Sequence, residues 1–241
     1  MDPETDAGFW SAATRQIDSY CERLDAAFWA EPVNALTNAA FLIGAYAAWR
    51  AAQAAGRDGD WAVRALVAIL TAIGIGSFLF HTFATGWAAA ADVLPILIFI
   101  VTYLYLATVR LWELPRWAGG LAVVAFFPVS AAVGSVLTPL LGSLNGSMAY
   151  VPTFLVLCAY AAGLHWRKRN GAEGLAIAAG LLALSLTFRT LDDQTGAICA
   201  ATGIGTHFLW HILNGTLLGW LIVVMVRHGP PRESSPAPAG A

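Results

Sequence analysis

Seven stretches of this chain are each apolar enough to cross a bilayer core, which asks for about 20 residues per helix. They run Val33–Ala51, Arg64–Phe83, Ala88–Leu111, Trp117–Leu137, Ser147–Trp166, Ala172–Thr190 and Gly203–Arg227. Charged residues make up 12% of the sequence, about half the share usual in a soluble domain. Ten Trp and twelve Phe suit aromatic belts at two membrane interfaces. The net charge of −2 leaves no basic patch for nucleic acid. These features predict an all-α, polytopic membrane protein: a single seven-helix bundle over residues 1–228, opening on an acidic segment, 1–32. The start "MDPETDAGFW" has no cationic region before an apolar one, so no cleaved signal peptide is expected. The Pro-, Ser- and Ala-rich end, 229–241, is expected to be a disordered tail.

Lys and Arg in the short loops set the orientation. Arg50, Arg57 and Arg64 lie in the first predicted loop, Arg110 and Arg116 in the third, Arg167, Lys168 and Arg169 in the fifth. Arg227 and Arg232 follow the last helix, whereas the second and fourth loops carry neither residue type. The expected topology is N-terminus outside and C-terminus cytoplasmic. Ser77, His81, Asp92, His207 and His211 then fall at one depth, in the outer half of the bilayer. Ionisable groups at such depth are costly and by default suggest function.

In "HFLWH", His207 and His211 sit four residues apart on one helix face. That spacing suits two imidazoles on one metal ion, and His81 would complete three protein ligands with an open fourth position, as in catalytic zinc. His165 and His228 fall at cytoplasmic helix ends, where interfacial solvation accounts for them. Asp92 reads either as the group that takes a proton from an attacking water or as a helix-capping residue. Ser77 reads either as a donor to a developing oxyanion or as a serine bonded back to its own helix. Such an assembly suits amide or ester hydrolysis, and its depth implies a lipid substrate arriving sideways from the bilayer. Asp18, Glu22, Asp25 and Glu31, beside Asn34 and Asn38, are hard oxygen donors that suit calcium; a solvated acidic face is the other reading. Cys21 and Cys199, both predicted outside, are placed to form a disulfide.

The "SFLFH" of the second predicted helix, the Asp heading the third and "HFLWHILNG" in the seventh resemble the alkaline ceramidase family. That family belongs to a larger group of seven-helix membrane hydrolases that includes the adiponectin-type receptors. "YCERLDAAFWAEPVNALTN" is similar to the family's N-terminal segment, and "FRTLDDQTGAIC" looks like its sixth-helix ending. The resemblance covers nearly the whole folded chain. It implies zinc on His81, His207 and His211, a water activated by Asp92, and Ser77 steadying the oxyanion. The substrate would be the amide of a ceramide-like lipid, giving a sphingoid base and a fatty acid. It also implies a Cys21–Cys199 bridge and a calcium site including a Tyr20 backbone oxygen. Glu22 and Glu31 match that site directly. Asp18 and Asp25 each stand one place from the family's acid and Asn, which fall on Ser19 and Leu24. A receptor or sensor with a structural metal is the alternative within the same group. A transporter is disfavoured, since its polar groups would lie nearer the midplane.

Overall fold

The structure, a computed structural model, describes residues 3–229; the predicted tail beyond Gly229 lies outside the described residues. Among these the protein is all-helical, with α1 (Pro3–Thr14), α2 (Pro32–Thr37), α3 (Ala39–Ala54), α4 (Trp61–Phe83) and α5 (Gly86–Arg110). There follow α6 (Arg116–Leu141), a 3-10 turn (Ser147–Tyr150), α7 (Val151–Trp166), α8 (Ala172–Leu191), α9 (Ala197–Thr202) and α10 (His207–His228). Six segments are long and apolar enough to cross a membrane: α4, α5, α6, the 3-10 turn with α7, α8 and α10. The chain is thus a multi-pass membrane protein by length and composition of its helices.

The first predicted helix differs, being divided at Asn38 into α2 and α3. The Asn38 amide donates to the Asn34 carbonyl at 2.9 Å, the acceptor its own backbone N–H would take in a regular helix. That N–H turns to Ala35 O instead, at 3.3 Å, so the side chain competes with the helical ladder and tightens it locally. The last predicted helix also starts later than expected. Gly203 and Gly205 have φ of 70° and 63°, left-handed values that end a helix rather than begin one. Gly203 closes the unpredicted α9, and α10 begins at His207.

Helix α10 is the most buried of the long helices and packs on α3 and α8, while α6 lies at the periphery. Close approaches run through small residues, as is usual between membrane helices. A Cβ on Gly215 would stand 2.5 Å from the Ala40 carbonyl carbon, and one on Gly76 would stand 2.0 Å from Ala91 O. Gly76 thus lets α4 and α5 touch beside Ser77 and Asp92. Across the bundle end that carries His81 runs residues 15–31, a strap between α1 and α2. Ile17 N donates to Ala84 O at 2.7 Å and Gly86 N to Arg15 O at 3.2 Å. A Cys21–Cys199 disulfide ties the strap to α9.

The opposite end is held by charge. Asp60 accepts from Ala62 N at 3.0 Å as the α4 N-cap, and from Arg57 and Arg110 at 2.8 and 2.6 Å. Arg57 in turn donates to Gly229 O at 3.1 Å.

Gly76→Ala is expected to destabilise the protein by about 1–3 kcal/mol, because the added carbon meets backbone that cannot swing aside. Thermal unfolding in detergent reads this directly. Gly120→Ala is the control and should cause no loss, since a Cβ there meets nothing within 4 Å.

Candidate metal centre

His81 lies in the last turn of α4; His207 opens α10, with His211 one turn on. Their ring centroids stand 5.2, 4.7 and 4.7 Å apart, and all three are at most 2% exposed. One ring nitrogen from each lies within 4.8 Å of the other two. The structure therefore brings the three predicted histidines into a single buried group that could hold a metal ion.

The other nitrogens decide whether the group fits one. His81 Nδ1 meets Glu31 Oε2 at 2.5 Å. An ionised carboxylate can only accept, so Nδ1 donates and Nε2 is the nitrogen turned to the other two rings. His211 Nδ1 lies 3.0 Å from the Thr37 hydroxyl. That hydroxyl has one proton and gives it to Val33 O at 2.7 Å, so it accepts from His211. His211 Nε2 is then free in its turn. His81 Nε2, His207 Nδ1 and His211 Nε2 are all buried without a hydrogen-bond partner. Three buried imidazole nitrogens without a hydrogen-bond partner, gathered within reach of one another, are what a metal of nitrogen preference needs.

Asp192 sets the second half of this arrangement. Its Oδ1 accepts from Thr206 N and His207 N at 2.6 and 3.0 Å, capping α10 at the residue that carries the metal-facing ring. Oδ2 accepts from Cys21 N at 3.3 Å, joining the strap to the same point. Tyr20 roofs the group, its ring 3.9 Å from that of His207 and 5.0 Å from that of His81. Burial pushes its phenol above the ordinary range, so it stays neutral.

Ser77 is buried one turn before His81 and lies within hydrogen-bonding reach of the Asp92 carboxylate. Asp92 Oδ1 is itself buried without a partner. At the same level an apolar slot opens, headed by Tyr150 and Trp210 and continuing past Phe99, Tyr103 and Leu217 to Leu221. Along α10 its lining runs from Trp210 to Leu221, a distance of about 16 Å at 1.5 Å per residue.

The five residues predicted for calcium are placed otherwise. Among the described residues they form no group of three carboxylates with oxygens close enough to hold an ion. Asp18 Oδ1 and Tyr20 O both accept from Gln194 Nε2, at 2.6 and 3.1 Å. Asp25 Oδ1 accepts from Ala27 N at 2.8 Å. Both Glu22 oxygens take backbone N–H groups opening α2, Val33 at 2.7 Å and Asn34 at 2.8 Å, while burial raises its carboxyl above the ordinary range. Glu31 faces His81 and Arg23. Burial would raise its carboxyl, but hydrogen bonds and charge from these two outweigh that and hold it below its usual range. In this arrangement protein donors occupy all four carboxylates.

Thr37, Asp192 and Arg23 were not among the predicted site residues. A helical Thr ordinarily bonds back to its own helix, as Thr37 does, and its second role toward α10 leaves no mark in the sequence. Asp192 stands within the "FRTLDDQTGAIC" stretch, where nothing marks it as the acceptor that caps α10. Together the fold and this centre define a multi-pass, all-helical membrane protein with a buried three-histidine group able to take a metal. No protein-family model and no curated protein matches the chain.

Thr37→Val is expected to weaken metal binding by up to about 10-fold, since the His211 ring loses its hydroxyl partner and keeps only the Asn34 carbonyl; competition with a chromogenic chelator measures it. Asp192→Ala should cost about 2 kcal/mol or more of stability, because buried backbone donors lose a charged acceptor.

Proposed function

We propose that the protein is an intramembrane, zinc-dependent amidohydrolase that cleaves ceramide-like lipids to a sphingoid base and a fatty acid. The observation that carries this reading is the three unpartnered imidazole nitrogens of one buried group, with Ser77 and Asp92 near them and an apolar slot that starts at Trp210, between His207 and His211 on α10. The resemblance of "SFLFH", Asp92 and "HFLWHILNG" to alkaline ceramidases supports it. In this reading α2 and α3 together form a seventh membrane crossing, the N-terminus lies outside, and the centre sits in the outer half of the bilayer.

Three imidazoles favour zinc among the common divalent ions, and a zinc ion so held lowers the pKa of water and polarises a carbonyl. The chain's own groups do the rest. The slot takes one alkyl chain and thereby sets the scissile amide at its mouth. Asp92 accepts a proton from the water that adds to the amide carbon. As charge grows on the carbonyl oxygen, the Ser77 hydroxyl turns from Asp92 and donates to it. The C–N bond then breaks, and Asp92 returns the proton to the departing amine nitrogen. Tyr20 and the strap above it keep bulk water from the centre.

Asp92→Asn is expected to retain zinc while losing about 10²–10⁴ in kcat on a fluorescent ceramide. Ser77→Ala should lose about 10²–10³. His211→Ala should lose metal and activity together. Zinc present in the wild type with no hydrolysis of any lipid amide or ester would overturn the enzyme and favour a receptor with a structural metal.

A further inference from the structure

Arg23 is the one cation in the acidic run from Asp18 to Glu31, and it is not on the surface. It is 4% exposed. Its guanidinium meets three oxygens from three places in the chain. Nε donates to Glu31 Oε1, Nη1 to Asp25 O at 3.0 Å and Nη2 to His81 O at 3.1 Å. Two of these belong to residues predicted to surround calcium, and the third is a carbonyl in the last turn of α4 that lacks a helical partner.

We infer that Arg23 is a built-in cation, standing where the acidic segment was expected to bind a divalent ion, and that it positions His81 for the metal. The geometry supports both halves. One Glu31 oxygen is held by Arg23, which leaves the other directed at His81 Nδ1. Asn34 Nδ2 also donates to that second oxygen, at 3.1 Å, so the carboxylate is fixed in its plane as well as in its charge. Arg23 further grips the His81 main chain, so backbone and ring of the ligand are tied to one guanidinium. The side chains of Arg23 and Glu31 are each 2% exposed, and together they are neutral. A calcium ion placed among the same oxygens would face a guanidinium at contact distance, with both desolvated, and that repulsion is steep in a medium of low dielectric. A fixed fork of donors also matches a carboxylate and a carbonyl at once, which a Lys ammonium does not.

This inference rests on the three-histidine metal centre and not on the hydrolase reading, so its test is read in metal binding. Wild-type protein would be stripped of metal, reloaded with zinc in calcium-free buffer, and given CaCl2 or, as control, MgCl2. Neither salt should change zinc affinity or the thermal midpoint, and purified protein should hold zinc but no stoichiometric calcium by mass spectrometry. Arg23→Gln should bind zinc about 10–100-fold more weakly, with an altered ligand-field spectrum when loaded with Co²⁺. Calcium should recover part of that loss in the variant, where the oxygens are released. Arg23→Lys, which keeps the charge and is the variant of choice if Arg23→Gln does not fold, should fall between. A specific rise in wild-type stability or zinc affinity with calcium would overturn the inference. So would wild-type zinc affinity and Co²⁺ spectrum in Arg23→Gln.

Discussion

An imidazole offers a metal only one of its two nitrogens, and the other is a donor that must be answered. In a soluble enzyme water can answer it; among membrane helices it cannot. That constraint organises the end of this bundle that carries His81. Helices α4 and α10 supply the rings, but neither supplies the groups that orient them. Glu31 comes from the end of the strap, and Thr37 from the short α2 that follows it. Residues 15–38 are therefore part of the centre, although none of them is a ligand.

The path of the strap follows from the same need. Main-chain bonds from Ile17 to Ala84 and from Gly86 to Arg15 fasten it across the α4–α5 turn, and the disulfide fastens it beside α9. Between these points Tyr20 is delivered to His207, and beyond them the end of the strap delivers Glu31 to His81. Asp192 then bonds the strap at Cys21 and the start of α10 with one carboxylate. Helix α10 is thus fixed in register at its first residue, and its close approach to α3 at Gly215 fixes it again two turns on. That sets the place of the ligand pair along α10 and leaves the turn of the second ring to Thr37.

Much of the fold was legible because its signals are additive over many residues. Twenty apolar side chains in a row outvote any local irregularity, and the i, i+4 spacing of His207 and His211 is read without knowing their partners. What escaped were single residues whose effect depends on a competitor. Asn38 divides a helix only because its amide takes the Asn34 carbonyl, and Gly203 ends α9 only because of its left-handed φ. Arg23 was the most consequential of these. Read as composition, one Arg among four acids leaves the segment anionic and inviting to calcium. Read in space, it is buried against Glu31 and the His81 carbonyl, and the segment supplies its own counter-charge.

The two ends of the bundle also explain why its middle can be open. At one end the histidine centre, the strap and the disulfide bind α4, α9 and α10 into a unit. At the other, Asp60 gathers Arg57 and Arg110, and Arg57 reaches the end of α10, so α4, α5 and α10 are clasped by a three-residue ionic network. Helices held at both ends do not need a filled interior to keep their spacing, and the slot between Trp210 and Leu221 lies in the span between the clasps. A void in the core of an unclasped bundle would tend to collapse, because every lining atom forfeits dispersion contacts. Here α10, the wall that both clasps hold, could move into the slot only if one of the two ends gave. The unpaired Tyr103 hydroxyl inside the slot fits the same view: a surface shaped by its supports, with more room than its own side chains fill.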